Sequence, residues 1–202
     1  MIGLAHEHGN RHEGPHHFDP QRFLAMEEWR RSLLPPEVVL QDFLGADDLT
    51  LADIGAGTGF FALPAAQRLS RGTVYAVDRQ EDMLDVVRRR AQEMDLENLL
   101  SLRADAREIP LQDGTVDAVL MANVFHDIPS QDAMLAEVSR ILRPDGSFYL
   151  VEWEKSQTEF GPPQEIRIAP DDLEQTLARG GFRVERRFPG PSPFYRMLAR
   201  KA

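Results

Sequence analysis

Short apolar runs alternate with segments of helical periodicity from residue 49 to the carboxyl end of the chain, and this alternation constrains the fold more than any other feature. Buried strands are predicted at 49–54, 73–78, 99–104, 116–124, 148–153, 182–188 and 195–199. Helices of about 10–15 residues separate most of these strands, which is typical of a mainly parallel sheet with helices on both faces. The last two strands flank a Pro/Gly-rich stretch and are expected to form an antiparallel hairpin. The pattern therefore predicts an α/β domain with seven strands.

The residues before this alternation divide into two segments. Residues 1–17 lack an apolar period, and their composition favours a disordered tail over a metal site, although neutral imidazoles suit zinc, nickel or copper. The histidines of this tail are His6, His8, His12, His16 and His17. Residues 18–202 form one predicted domain. Within it, residues 18–45 are predicted to form a helical lid, because Phe23, Met26 and Trp29 recur at helical spacing.

Composition narrows the classes of function. The chain has no cysteine, which excludes disulfides, thiolate zinc sites and a cysteine nucleophile. Its formal net charge of −10 argues against a nucleic-acid partner, because that charge would repel a phosphate backbone. No run approaches the roughly 18 apolar residues that a membrane-spanning helix needs. The first residues also lack the basic and apolar regions of a secretory signal. We therefore expect a cytoplasmic protein without stable membrane insertion.

A glycine-rich loop follows the first predicted strand. The sequence from Asp53 reads DIGAGTG, with glycines at 55, 57 and 59. Glycine lets the backbone turn tightly and approach a ligand without interference from Cβ. The loop falls at the carboxyl edge of the sheet, where such folds bind ligands. A nicotinamide-binding loop would have the spacing G-x-G-x-x-G, but Phe60 stands at the place of its third glycine, which argues against a dinucleotide and an oxidoreductase.

Carboxylates follow the next two predicted strands. Asp78 ends the second strand and is suited to accept hydrogen bonds from both hydroxyls of a ribose. Asp105 follows the third strand, where its carboxylate is suited to accept the amino group of an adenine. Either aspartate alone could be a helix cap or a turn residue. Polar residues at three successive strand ends, in this order, favour a nucleoside-like ligand.

Together, the loop 53–59, Asp78, Asp105 and the segment 117–126 resemble class I methyltransferases that use S-adenosyl-L-methionine (SAM). The sequence is most similar to the type-11 group, which includes the ubiquinone/menaquinone-type enzymes. The resemblance extends from about residue 18 to the carboxyl end and includes the helix-to-strand turn LRPDG at 142–146. It implies a Rossmann-like three-layer sandwich with strand order 3-2-1-4-5-7-6 and strand 7 antiparallel.

The resemblance also implies a set of cofactor-binding residues. These are Asp53, Gly55, Gly57, Gly59, Asp78, Asp105, Ala106 and Asn123. By the resemblance, the glycine loop lies against the methionine part of SAM and Asp53 serves its ammonium group. Asp105 and the backbone of Ala106 read the adenine edge, and the carbonyl of Asn123 lies beside the sulfonium. The product implied is S-adenosyl-L-homocysteine.

His126 is the candidate catalytic residue, because it follows the fourth strand and is the only histidine outside the tail. It could act as a general base near neutral pH, or it could be a packed histidine that caps the following helix. Asp127 could orient its ring. The candidate substrate-contacting residues are Trp29, Phe125 and Trp153, and Trp153 could supply an aromatic wall near the sulfonium. Since no large cap domain is inserted, we expect a small-molecule acceptor or a partly open pocket.

Two alternatives to a small-molecule methyltransferase stay open. A nucleic-acid methyltransferase would commonly show an Asn/Asp-Pro-Pro-aromatic turn after the fourth strand, where this chain reads NVFH at 123–126. A SAM-binding or metal-responsive module without catalysis would share the loop and the tail but would turn over no acceptor. Fold alone excludes neither, since such sheets host many functions.

Overall fold

The structure is a computed structural model, and it describes residues 17–188 and 193–202. The strands of these residues are β1 (Thr50–Ile54), β2 (Thr73–Asp78), β3 (Leu99–Arg103), β4 (Val116–Ala122), β5 (Leu142–Trp153), β6 (Phe182–Phe188) and β7 (Phe194–Lys201). The helices are α1 (Pro20–Ala25), α2 (Glu27–Leu33), α3 (Pro36–Gln41), α4 (Ala62–Arg68), α5 (Glu81–Glu93), α6 (Gln131–Ile141) and α7 (Pro170–Arg179). Single 3₁₀ turns lie at Phe125–Asp127 and Gln164–Ile166.

One sheet contains all of these strands in the order β3-β2-β1-β4-β5-β7-β6. The first five strands run parallel, and β7 is antiparallel to both β5 and β6. The predicted strand order and the antiparallel strand 7 are thereby confirmed. β1 pairs with β2 on one side and with β4 on the other. The topological switch point of the sheet, where the strand order reverses, is therefore at β1. The loops after β1, β2 and β4 therefore meet at one edge, the place where open α/β sheets bind ligands.

Two apolar layers cover the two faces of the sheet. Successive residues of β1 alternate between them: Leu51 belongs to the layer that includes α3 and α4, and Ala52 belongs to the layer that includes α6 and α7. This alternation follows from the two-residue period of a strand. It places Asp53 on the same face as Leu51, toward α4. The helix–sheet–helix arrangement confirms the predicted three-layer sandwich.

Several element boundaries differ from those that the sequence predicts. The strand predicted at 116–124 ends at Ala122, because Asn123 has φ +59°, which no extended strand accommodates. The strand predicted from 148 begins at Leu142, and the sequence PDG forms an irregularity in its pairing with β4 rather than a turn before it. The helical spacing of Phe23, Met26 and Trp29 does not form one helix: α1 and α2 are two short helices, which meet at Met26 (φ −93°, ψ −2°).

Two further observations concern the predicted surroundings of the domain. None of the described helices is both long and apolar enough to cross a membrane. His6, His8, His12 and His16 lie outside the described residues, so the interpretation of the histidine-rich tail stays a prediction.

Candidate functional site

The glycine loop that follows β1 adopts a backbone that favours glycine. Gly55 and Gly57 have φ values of +74° and +53°, in the left-handed region that residues with a Cβ rarely adopt. A Cβ on Gly55 would lie 2.4 Å from Cγ2 of Val124, so this glycine allows the loops after β1 and β4 to touch. A Cβ on Gly57 would meet only the ring of Phe23, at 3.9 Å. The backbone at Gly57 therefore faces the space beneath α1.

Asp53 is a buried carboxylate at the end of β1, and its side chain is incompletely satisfied. The residue is 2% exposed, and its Oδ2 has no hydrogen-bond partner among the residues described. Burial and the nearby charge of Asp78 raise the pKa of Asp53 to about 7, although Arg30 and a backbone hydrogen bond from Ala62 act in the opposite direction. Burying a carboxylate oxygen that accepts no hydrogen bond lowers the stability of the fold, and a bound ligand that donates to this oxygen removes that cost. Its position is suited to a cationic hydrogen-bond donor.

Asp78 is fixed by the backbone around it. Its Oδ2 accepts the N–H of Gly57 at 2.8 Å, and its Oδ1 accepts the N–H of Gln80 at 2.9 Å. Burial is the main cause that raises the pKa of Asp78, and these two hydrogen bonds oppose it. Each carboxylate oxygen retains a lone pair after these bonds. Asp78 can therefore accept two further hydroxyl hydrogens while it holds the glycine loop in place.

The loop after β3 joins the same edge, because the N–H of Ala104 donates to the carbonyl of Asp78 at 3.0 Å. The carboxylate of Asp105 already has a partner there: Nε and Nη2 of Arg107 donate to it at 2.7 and 2.8 Å. This ion pair lowers the pKa of Asp105. An adenine amino group would share the oxygens of Asp105 with Arg107. Ala106 lies between the two and is half-buried.

Helices α1 and α2 lie across the glycine loop and are held there by polar, aromatic and partly buried apolar contacts. The guanidinium of Arg90, on α5, donates twice to Glu27 of α2 at 2.8 and 2.9 Å, and it also donates to the carbonyl of Thr58 at 3.1 Å. Ahead of α1, the N–H of Phe18 donates to Oε1 of Gln80 at 2.8 Å. We call Glu27 with Arg90 the lid latch. It ties α2 directly to the glycine loop.

The turn after β4 brings together two further candidates. Asn123 donates its N–H to the carbonyl of Val151 at 2.7 Å, and its Oδ1 is buried without a hydrogen-bond partner in the described parts of the chain. The side chain of His126 is 3% exposed, and its Nδ1 lies 2.7 Å from Oε2 of Glu152. Nε2 of His126 lies 3.6 Å from Oδ2 of Asp127.

Glu152 is a site residue that the sequence interpretation missed. Its side chain is 1% exposed, and its Oε1 accepts the N–H of Phe125 at 2.9 Å while Oε2 meets His126. Burial lowers the pKa of His126, but the hydrogen bond and charge of Glu152, together with Asp127, outweigh it, and the net pKa is raised. One signal in the sequence pointed to Glu152: it is the charged residue in an otherwise apolar strand that reads FYLVEW.

The three predicted substrate-contacting residues have different surroundings. The rings of Trp29 and Trp153 both contact Phe160, with centroids 4.3 and 6.3 Å apart, and form an aromatic wall between α2 and the loop after β5. Phe125, in contrast, is completely buried in the apolar layer that also includes α6 and α7. It lines no open surface, which removes it from the candidate substrate-contacting residues.

Arg167 organises the loop that carries Phe160. Its guanidinium donates to the carbonyls of Glu154, Ser156, Phe160 and Pro162 and to the hydroxyl of Thr158. It also lies 5.0 Å from the ring of Trp153. One buried arginine thus fixes this side of the site.

No group of three or more His, Asp or Glu side chains within residues 17–188 and 193–202 is arranged to hold a metal ion. His17, the one tail histidine that the structure describes, lies 3.5 Å from Asp82 and 2.6 Å from the amide of Gln80.

The comparisons with known proteins agree with this geometry. Residues 52–150, from β1 into β5, match a family described as methyltransferase domain. The matched part of the chain, from β1 into β5, is therefore a methyltransferase domain of this family. An uncharacterized methyltransferase from Mycobacterium tuberculosis is 36% identical over 171 residues, which is 84% of this chain and 63% of the relative. A demethylmenaquinone methyltransferase from Symbiobacterium thermophilum is 35% identical over 136 residues, covering 66% of this chain and 52% of that protein.

A solved structure has the same fold over nearly the whole domain. The structure of a SAM dependent methyltransferase from Aquifex aeolicus superposes with a TM-score of 0.85 at 29% identity, covering 91% of this chain and 98% of that one. The present chain spans less than two thirds of the length of the mycobacterial relative. The relatives therefore identify the domain, and the activity of this chain is inferred from its own site below.

Proposed function

We propose that this chain is a SAM-dependent methyltransferase that acts on a small-molecule acceptor. The observation that carries the proposal is Asp53, a buried carboxylate with an unpartnered oxygen between the glycine loop and the charge of Asp78. A group in this position fits a ligand that brings both a positive charge and hydrogen-bond donors. The α-ammonium group of SAM has both properties.

The surrounding residues fit the rest of the cofactor. Asp78 retains acceptor capacity for the two ribose hydroxyls, and Asp105 with the backbone of Ala106 would meet the adenine edge. Gly55 and Gly57 let the backbone pass close to the methionine part without a side chain in the way. Asn123, whose left-handed φ directs the chain out of β4, would lie beside the sulfonium.

When bound, SAM supplies an electrophilic methyl group on a sulfonium sulfur that leaves as the neutral thioether of S-adenosyl-L-homocysteine. The protein then has to hold the acceptor in line with that group and exclude water. Helices α1 and α2, held by the lid latch, cover the glycine loop and would exclude water from it. The aromatic wall of Trp29, Phe160 and Trp153, between α2 and the loop after β5, would restrict the size of the space for the acceptor.

His126 is our candidate for removing a proton from the acceptor. The carboxylate of Glu152 accepts from Nδ1, which leaves Nε2 of a neutral imidazole as the free base. Nε2 would take the acceptor proton as the acceptor attacks the methyl group, and the resulting imidazolium would be stabilised by Glu152. Glu152 is a positioning residue in this scheme, since it acts through His126.

Two observations support a small-molecule acceptor. The net charge of −10 does not suit a nucleic-acid backbone, and a demethylmenaquinone methyltransferase is among the similar proteins. The rings of Trp29 and Phe160 favour an acceptor with an apolar or aromatic part.

Calorimetric titration tests the cofactor site directly. We expect SAM and S-adenosyl-L-homocysteine to bind in the micromolar range and NAD not to bind. Asp78→Asn should weaken both SAM-type ligands by about 100-fold, because it loses charge-assisted bonds to the ribose and to the glycine loop. Asp85→Asn is the matched control, since Asp85 lies on the exposed face of α5 and pairs with Arg88.

Folded protein that binds neither SAM-type ligand would contradict the proposal. If both ligands bind, a screen of quinols, phenols and carboxylic acids follows, with S-adenosyl-L-homocysteine production as the readout. Binding without turnover of any acceptor would favour the non-catalytic SAM-binding module.

A further inference from the structure

The two edge strands of the sheet differ in how well they are protected against pairing with another chain. Charged side chains and irregular pairing are common means of such protection. β6 has both: its pairing with β7 contains a register irregularity, and its exposed side chains are charged. These side chains are Arg183, Glu185, Arg186 and Arg187. β3 pairs with β2 without irregularity, and its exposed residues are Leu100 and Arg103. The β3 edge is therefore the less protected of the two.

The backbone of β3 offers hydrogen-bonding groups on its outer side. On the inner side, the N–H of Val74 donates to the carbonyl of Asn98, and the N–H of Ala104 donates to the carbonyl of Asp78. Alternate residues of a strand direct these groups to the same side, so the odd-numbered residues of β3 direct theirs outward. None of the described strands pairs with this outer side. The edge can accept one more strand.

The side chains at this edge are apolar in the middle and oppositely charged at the two ends. Leu100 is 45% exposed, and Met94, at the end of α5 shortly before β3, is 38% exposed. Glu97 lies in the turn before β3 and Arg103 at its end, and both are exposed. Within the part of the chain that the structure describes, neither of these two forms an ion pair. An edge with an acid at one end and a base at the other is complementary to itself in antiparallel orientation.

We propose that the outer edge of β3 binds the same edge of a second copy of this chain, antiparallel and about a two-fold axis. Leu99 of each copy pairs with Ser101 of the other, and the two Leu100 side chains face each other in a non-hydrogen-bonded pair, where side chains lie closest. Arg103 of each copy then lies beside Glu97 of the other. The symmetry makes each of these contacts occur twice, and the two seven-stranded sheets become continuous.

The charges select this register. Outward-directed residues must lie opposite one another, so the two strands can shift only in steps of two residues. Two registers then place Leu100 opposite another leucine. One pairs Leu100 with Leu102 and brings Glu97 toward Asp105 of the second copy, where two like charges oppose association. The other pairs Leu100 with Leu100 and brings Glu97 toward Arg103. The contact uses no residue of the cofactor site, so it does not depend on the proposed function.

Sedimentation equilibrium of the full chain tests the proposal. We expect a monomer–dimer equilibrium in the micromolar range. Leu100→Lys should raise the dissociation constant of the dimer by about 100-fold, because two leucines at its centre are replaced by two facing charges. Val38→Lys is the matched control, since Val38 is 48% exposed on α3 rather than at the β3 edge. It should change the dissociation constant by less than about twofold.

Two charge reversals test the register. Glu97→Lys and Arg103→Glu should each weaken the dimer by about 10-fold, because like charges then meet at both ends of the contact. An equimolar mixture of the two variants should associate as tightly as the wild-type protein. In that mixed dimer the introduced lysine meets the introduced glutamate, and Arg103 of one chain meets Glu97 of the other. Thermal unfolding of each variant checks that the fold is intact.

Three results would overturn the inference. A wild-type chain that stays monomeric into the millimolar range has no such contact, and slow amide exchange of β3 in that monomer would assign the edge to another segment of the same chain. A dimer that Leu100→Lys leaves intact uses a different surface. A mixture of the two charge variants that associates no better than either alone would exclude the antiparallel register.

Discussion

The helices on either side of Leu34 are attached to the same sheet in different ways. Helices α1 and α2 contain no fully buried residue. They are held by the lid latch, by stacking of Arg30 on Phe60 and by the partly buried side chains of Trp29 and Leu33, which pack against the apolar layer. Helix α3 buries Pro36, Val39 and Leu40 in the apolar layer beneath it. Ion pairs and ring contacts that are partly exposed to solvent contribute little free energy and can break easily. Burial of an aliphatic helix face contributes more and is not easily reversed. We infer that the predicted lid at 18–45 divides into a movable part, 18–33, and a fixed anchor, 34–44.

The largest expected effect belongs to the anchor. Leu40→Ala should lower the free energy of unfolding by about 2–5 kcal/mol, because Leu40 is 1% exposed and its loss leaves a cavity in the core. Val38→Ala on the same helix is the control, since Val38 is 48% exposed and should cost less than about 0.5 kcal/mol. Urea unfolding measures both values. A loss below about 1 kcal/mol for Leu40→Ala would place α3 with the movable part.

Asp53 lies where the movable part meets the fixed sheet, and there binding and stability should oppose each other. Asp53→Asn should abolish binding of S-adenosyl-L-homocysteine and stabilise the ligand-free protein above about pH 4. Because burial raises the pKa of Asp53 to about 7, its contribution to stability is complete below the unfolded pKa near 4 and is lost as pH rises through 7. The wild-type protein should therefore lose stability relative to the variant by up to about 1.4 kcal/mol per pH unit between pH 4 and 7.

Urea unfolding of wild type and Asp53→Asn at pH 4.5 and 6.5 tests this slope. The range stops at about the unfolded pKa of histidine, so that His126 contributes little to the difference. If the free energy of unfolding depended on pH equally in the two proteins, the pKa of Asp53 would be the same in the folded and unfolded states and this prediction would be wrong.

The turn after β4 lies at the sheet and outside the lid, and Glu152 should have the largest favourable influence on the titration of His126 there. Glu152→Gln should lower the pKa of His126, because it removes the charge that outweighs the effect of burial. Since the folded pKa of His126 is raised, its stabilising contribution is complete below about pH 6.5 and is lost as pH rises through the folded value. NMR titration of the imidazole measures the pKa directly.

Asp127→Asn is the control for this titration, because Asp127 lies 3.6 Å from Nε2 and is the smaller of the two favourable influences. A larger shift from Asp127→Asn than from Glu152→Gln would reverse the assignment of the positioning residue.

The smallest effect on global stability is expected at the lid latch. Glu27→Gln should cost no more than about 1 kcal/mol, because both side chains of the latch are partly exposed to solvent. Amide hydrogen exchange should nevertheless become faster in residues 20–33 and stay unchanged in α3. Uniform acceleration through α3 would show that residues 18–45 open as one unit and would remove the distinction between lid and anchor.

Local pattern was sufficient for most of the fold. The short apolar runs between helical segments predicted seven strands, and the glycines predicted a tight turn after β1, where Gly55 and Gly57 have positive φ values. These features depend on residues close in sequence, so the sequence alone specifies them. The strand order was predicted by family resemblance rather than by pattern.

The contacts that set the electrostatics of the site were decided by tertiary structure. His126, in the turn after β4, meets Glu152 of β5, and Arg90 of α5 meets Glu27 of α2, which lies 63 residues earlier in the chain. The interpretation of Phe125 failed for the same reason, since only packing decided which way its ring turned.

The sequence by itself thus determined which residues lie at the carboxyl edge of the sheet, because strand period and glycine conformation are local properties. Only the tertiary structure decided which charges face each other there, because the partner and the burial of a charged group depend on chain segments up to 63 residues apart that the fold brings together. The tertiary structure also decided the division of the amino-terminal segment into a lid, 18–33, and an anchor, 34–44. Leu34 and Leu40 show their role only once the core that they enter is formed.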